Sequence, residues 1–368
     1  MKHLLVPICN RTNYTKLKTV LREFTAIKPV IAMSSSILLS KYGDPHTDIE
    51  KDVYEIVSRI DCSFMNDSTS NMAKTCGLSM IEHASLFNHI KPDGVLIVGD
   101  RFDMLSPLIS AKMMNIPIFH IQGGEHSGSI DDTIRDMMSL CASYHYTSTL
   151  QSSERVMEIA HIKNVIYSGC PAVEYISQIN IGEFLDVSSL TKKFKHNIDI
   201  KPYEEYYLVI LHPDTTHKDE VNMGNLLHIL TSTEKKIIVF YPNIDAHNNN
   251  IVDAIREMRN QLIILRHVPV DDFAKLMAHA KAVIGNSSSI IRETATFGVP
   301  SINIGDRQKN RERNQNTIDI PSSLDGLLES LSVTNRCSNN NIYFKHGAGK
   351  TIANHIEKIL CKDTNEDS

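Results

Sequence analysis

The chain reads as an α/β protein of two doubly wound halves, each a parallel sheet covered by helices. Three observations point there. Short apolar runs of strand length alternate with amphipathic stretches of helical length, over 3–170 and again over 206–306. The intervening stretch, 172–203, is polar and poorly periodic. The 368 residues, 42% of them hydrophobic, are too many for one small core and sufficient for two.

In the first half "HLLVPIC" (3–9) is a continuous apolar run, hence a buried strand, and "NYTKLKTVLREFT" (13–25) has the spacing of the helix after it. "PVIAMSSS" (29–36) is a second strand, "MAKTCGLSMIEHASLFNHI" (72–90) a helix and "DGVLIVGD" (93–100) a strongly apolar strand. Helix 104–115, strand 116–122, helix 130–144 and strands 144–149 and 164–170 complete it. After the polar stretch the pattern restarts with strands at 206–213, 235–243, 262–269, 282–288 and 300–306, and a helix at 270–281. "GAGKTIANHIEKILCKD" (347–363) is a further helix; its "GAGKT" lacks the spacing of a phosphate loop, since Phe344 stands where the first glycine belongs. The asparagine runs 247–251 and 338–342 read as surface loops, and the last residues as a frayed acidic tail. The division expected is 1–172, 173–345, and 346–368 as a helix and tail that return to the first domain.

A net charge of −5 speaks against a nucleic-acid partner. No run approaches a membrane span, and the apolar stretch at the N-terminus is short for a signal peptide. Seven scattered cysteines without a CxxC pair read as reduced thiols of a cytoplasmic protein and argue against zinc.

Polar clusters gather at the strand ends, where ligands of such folds bind. "ICNRTNY" (8–14) ends the first strand, with Arg11 for a phosphate and Thr12 or Asn13 as helix cap. "VGDRFD" (98–103) carries Asp100 and Arg101. "HIQGGEHSGSIDD" (120–132) carries Gln122, Glu125, Ser127, Asp131 and Asp132, one of the last two serving only the helix dipole. "IGNSSSIIRETATFGVP" (284–300) offers Ser287 and Ser288 to a diphosphate and Glu293 to a sugar diol. His212, Asn243 and His267 end further strands, and the basic run 305–313 follows another.

In this order "CNRTNYTKL", "VGDRFDML", "NIPIFHIQGGEHSGSIDDTIR", "FYPNID", "RHVP", "IGNSSSIIRE" and "GDRQKNRERNQN" resemble the UDP-N-acetylglucosamine 2-epimerases, most of all the hydrolysing branch that feeds sialic acid synthesis. The resemblance covers residues 3–320. It implies two Rossmann-like domains in the GT-B arrangement, with a UDP-sugar between them, no cofactor, no metal, and a homodimer or homotetramer. It places the catalytic positions at Asp100, Gln122 and Asp131. It places substrate contacts at Arg11, Asn13, Arg101, Glu125, Ser127, His212, Asn243, His267, Ser287, Ser288, Glu293 and Arg307. The implied reaction expels UDP to a 2-acetamidoglucal and hydrates it to N-acetylmannosamine.

Three positions depart from the close relatives. Gln122 stands where they commonly carry glutamate and some branches histidine, Asn13 where they carry aspartate, and Ser36 where many carry histidine. An amide orients but does not exchange a proton. Gln122 therefore admits three readings: an engineered change, a natural enzyme running on Asp100, Asp131 and Glu125, or a different substrate such as the 2,4-diacetamido sugar of the legionaminic acid route. A glycosyltransferase of the same architecture and a silent UDP-sugar sensor are the competing functions.

Overall fold

The computed structural model describes residues 2–40, 43–64, 68–182, 200, 204–214, 216, 221–243, 245–333 and 335–362. Most of the 172–203 stretch and the end of the tail lie outside these. The first sheet contains β1 (His3–Ile8), β2 (Lys28–Ser34), β3 (Glu55–Ile60), β4 (Gly94–Val98), β5 (Ile118–Ile121), β6 (Tyr144–Thr147) and β7 (Val165–Tyr167). Its order is β3-β2-β1-β4-β5-β6-β7, all parallel. The second contains β8 (Tyr206–Ile210), β9 (Lys236–Phe240), β10 (Ile263–Leu265), β11 (Ala282–Gly285), β12 (Ser301–Ile304) and β13 (Thr317–Ile320). Its order is β10-β9-β8-β11-β12-β13, again all parallel. Both sheets are therefore doubly wound α/β, each with two buried apolar layers.

The connections are α1 (Arg11–Arg22), α2 (His46–Lys51), α3 (Thr69–Ile90), α4 (Leu105–Met113), α5 (Ile130–Cys141), α6 (Leu150–Ala160) and α7 (Pro171–Ser177) in the first half. In the second they are α8 (Met223–Thr231), α9 (Asn248–Glu257), α10 (Val270–His279), α11 (Ser289–Arg292) and α12 (Leu327–Val333). The last helix, α13 (Ala348–Lys362), returns to the first half: Ile352, Ile356 and Leu360 share a core with Leu17 and Val20 of α1. Gly349 lets it approach closely, since a Cβ there would stand 2.8 Å from the Thr19 carbonyl.

The expected elements needed three corrections. Strands β3 and β13 were missing from the pattern: both are sheet edges, and each carries exposed polar side chains in place of a continuous apolar run. The asparagine run at 247–251 opens α9 rather than forming a loop, because Asn248 is buried and its side chain bonds the Asn243 carbonyl. The cap of α1 is Asn10; Asn13 lies inside the first turn and completes a reciprocal capping box.

Candidate active site

Each sheet reverses its winding once, between β1 and β4 and between β8 and β11. Loops leave a parallel sheet in opposite directions at such a point and open a crevice beyond the strand ends. Here the two crevices face each other, and one cavity lies between them. Arg11, Asn13 and Lys16 follow β1, and Gly99, Asp100 and Arg101 follow β4; they form one wall together with Asp131. His212 follows β8, Ser287, Ser288 and Glu293 follow β11, and Arg307 follows β12; they form the other. Asn243 and His267 join this second wall.

The second wall has an apolar end and a polar end. Phe240 and Phe273 meet edge to face, 5.4 Å between centroids, and with Val268 and Val270 give the cavity an apolar surface on which a flat ring can pack. Past it come Ser287, Ser288 and Arg307, groups suited to phosphate oxygens. Gly285 sets this loop, for its φ is +142° and a Cβ would lie 2.1 Å from the Ile210 carbonyl oxygen. Asn286 ties the ends of β8 and β11 by accepting from the His212 amide and donating to the His212 carbonyl, both at 2.8 Å. His212 is neutral, because burial and then the charges of Arg307, Arg11 and Arg101 depress its pKa strongly. The arginines around it supply the positive charge of this end of the cavity.

The first wall is acidic and its two acids differ. Burial pushes Asp100 up, but Arg135, Lys16 and Arg311 together outweigh it and hold this carboxylate well below its usual range. Arg135 of α5 bonds it directly. Asp131, at the start of α5, is raised to about 6 by burial and by the neighbouring charge of Asp100, against the pull of Arg307 at 3.3 Å. Two carboxyl groups with ionisation driven apart are the usual basis for dividing acid and base work. Asp132 is the structural member of the pair, accepting from Ser127, Gly128 and Arg135.

Three expected residues stand behind the wall rather than on it. Gln122 is 2% exposed; its Nε2 donates to Cys170 Sγ at 3.2 Å and its Oε1 has no protein partner. Its φ of +68° turns the side chain off the strand line into that position. Glu125 is a buried node that ties the halves together, paired with Arg292 and Arg311 and accepting from Ser148. Ser127 is spent on Asp132 and on the amide of Asn310. Arg11, though on the wall, reaches across to the Tyr241 carbonyl and Asn243 Oδ1. Arg101 forms a two-pronged ion pair with Asp245, and His267 meets Asp48 at 2.9 Å.

Lys16 and Arg311 line the cavity and were not singled out in the sequence. Lys16 lies one helical turn after Thr12, inside a stretch whose apolar spacing hides it; burial and Arg292 lower its pKa to about 8. Arg311 belongs to the basic run 305–313, so its class was legible though its place was not.

A two-lobed Rossmann-like fold with one ligand cleft between its switch points defines the class of protein. The chain belongs to the UDP-N-acetylglucosamine 2-epimerase family, which matches residues 32–357. It is 29% identical over 329 residues to UDP-N,N'-diacetylbacillosamine 2-epimerase (hydrolyzing) of Legionella pneumophila, covering 87% of this chain and 85% of the relative. It is 30% identical over 348 residues to GDP/UDP-N,N'-diacetylbacillosamine 2-epimerase (hydrolyzing) of Campylobacter jejuni, covering 92% and 88%. Its fold matches UDP-GlcNAc 2-epimerase from Neisseria meningitidis, solved with UDP-GlcNAc, at a TM-score of 0.75 and 17% identity over 97% of this chain and 100% of that one. Among the described residues no helix is long and apolar enough to cross a membrane.

Proposed function

We propose that this chain is a hydrolysing 2-epimerase of UDP-2-acetamido sugars. The observation that carries the reading is the pair Asp100 and Asp131: they face one cleft, one firmly ionised and the other poised near neutrality. Opposite them stand groups suited to a nucleoside diphosphate.

In this reading uracil packs on the apolar surface of Phe240, Phe273, Val268 and Val270, Glu293 takes the ribose hydroxyls, and Ser287, Ser288 and Arg307 hold the diphosphate. The sugar then lies under the acids. Its C2 hydrogen is too weakly acidic for a carboxylate to remove at a useful rate. Breaking the C1–O bond first sends the electron pair out with UDP and leaves an oxocarbenium-like centre, which acidifies C2–H. Asp100, held ionised by Arg135, stabilises that positive charge. Asp131 takes the C2 proton, the electrons of that bond closing the C1–C2 double bond of the glycal. Water then gives hydroxide to C1, a proton drawn from water enters C2 on the opposite face, and Asp131 releases the proton it took to solvent, yielding the free manno sugar and UDP. Gln122 has no part in proton transfer here, in keeping with an amide turned toward Cys170.

For the sugar, two readings stand. UDP-N-acetylglucosamine giving N-acetylmannosamine is the simpler; the names of the Legionella and Campylobacter relatives favour a 2,4-diacetamido-trideoxy sugar. Incubation with each UDP-sugar in deuterated water, followed by NMR, separates them. One is expected to give UDP and a manno product carrying deuterium at C2. Unlabelled product, or an intact UDP-sugar in epimeric equilibrium, would reject the hydrolysing mechanism.

A further inference from the structure

We propose that His120 is a positioning residue for this reaction, its Nε2–H holding the Gly99 carbonyl so that the following residue, Asp100, aims its carboxylate into the cleft. The inference rests on the acid roles assigned above. His120 is fully buried on β5, and its Nε2 lies 3.0 Å from the Gly99 oxygen. A carbonyl only accepts, so Nε2 carries the proton. The ring is neutral across the working range, because burial lowers its pKa to about 4.

The bond is made where the backbone needs it. Gly99 has φ +89°, a turn that points Asp100 out of the sheet, and its amide is already fixed to the Ile121 carbonyl at 3.1 Å. His120 fixes the other side of the same residue. The environment is built around the ring. The position a Cβ on Gly123 would take is 3.1 Å from both His120 Nδ1 and Ser139 Oγ, so a larger residue would displace the imidazole. Both atoms are buried without a protein hydrogen-bond partner, so the ring is held on its Nε2 side alone. Ser139 lies one helical turn beyond Arg135, the residue that bonds the Asp100 carboxylate. Strand β5 and helix α5 thus grip Asp100 by its preceding carbonyl and by its side chain.

The test compares His120→Gln, whose amide nitrogen falls near the lost Nε2, with His120→Asn, whose amide is too short to reach. His120→Asn is expected to lower kcat about 100-fold, the usual cost of a catalytic group displaced by about an ångström. KM and UDP affinity by calorimetry should stay within about threefold, and His120→Gln should recover most of the rate. In an Asp100→Asn background the His120→Asn loss should vanish, since both changes act through one carboxylate. An undiminished loss in that background, a loss of UDP affinity instead of kcat, or equal impairment of the Gln and Asn variants would overturn the proposal. If His120→Asn does not fold, Gly123→Ala crowds the ring without removing it; unchanged kcat there would count against the role. Nitrogen-15 NMR of the parent protein reads the tautomer without any substrate. Protonation at Nδ1 would sink the His120 assignment even if the chain is an epimerase, and protonation at Nε2 would support it even if the substrate is another.

Discussion

Replacing Asp131 by Asn should abolish turnover and stabilise the fold in the same stroke. Asp131 is buried in the cleft and its pKa rises from 3.8 to about 6, through burial first and the charge of Asp100 second. A carboxyl group with a raised folded-state pKa contributes most to stability while protonated. That contribution is complete below the unfolded value and is lost as pH climbs through the folded one. At pH 7 the ionised group costs about 3 kcal/mol, from ~1.36 kcal/mol per unit of displacement; at pH 4 most of that cost is gone. Asparagine keeps the shape and removes the charge. Asp131→Asn should therefore be more stable by up to about 3 kcal/mol at pH 7, or roughly 4 °C in Tm for a chain of this length, with the gap closing toward pH 4. The kcat should fall by ~10²–10⁴, the usual worth of a proton-transfer group. Urea unfolding of both proteins at several pH values measures the first, and release of free sugar by NMR the second. A variant less stable at pH 7, or a gap that does not narrow on acidification, would refute the electrostatic account of this carboxyl.

Arg307→Ala should weaken UDP binding by about 10- to 100-fold, the worth of one or two charge-assisted bonds. By removing the cation that pulls Asp131 down in the free enzyme, it should also move the acidic limb of the kcat/KM profile upward from about 6. Lys16 is protonated below about 8, so kcat/KM should decline above that pH and the decline should disappear in Lys16→Met. Gln122→Glu puts an acid at a position 2% exposed beside Cys170, and should destabilise the protein by a few kcal/mol at pH 8 and much less at pH 5. A tenfold gain in rate from that change would instead make position 122 a working catalytic site.

The central strands and the strand-end clusters were legible because a parallel strand buried on both faces leaves an unmistakable apolar run, and the polar residues that follow it mark the ligand edge. The edge strands β3 and β13 were not, since one face of each meets water and the run is broken by Arg59 and Asp319. The sequence also separates poorly the residues of one cluster that face the cavity from those that face away. Asp131 and Asp132 are neighbours on α5, yet one lines the cleft and the other accepts bonds from Ser127 and Gly128. Gln122 and Glu125 flank the glycine pair and look equally exposed to a ligand in print, but the positive φ at Gln122 and the arginines around Glu125 turn both inward.

That turning bears on how the cleft works. Glu125 on one half meets Arg292 and Arg311 on the other, Arg101 meets Asp245, and Asp131 meets Arg307. A buried pair stripped of one member costs several kcal/mol, so the Glu125 pairs and the Arg101–Asp245 pair hold the halves together, whereas Arg307 does not offset the burial of the Asp131 carboxyl. Glu125 lies off the cavity wall, although its partners Arg292 and Arg311 line it. Arg101 and Arg307 also line the cavity. In the proposed function a diphosphate would compete with Asp245 and Asp131 for these arginines, exchanging a cross-cleft carboxylate for a phosphate. That exchange would leave Asp131 without its cation as the sugar arrives, raise its affinity for a proton and make it a stronger base when the C1–O bond opens.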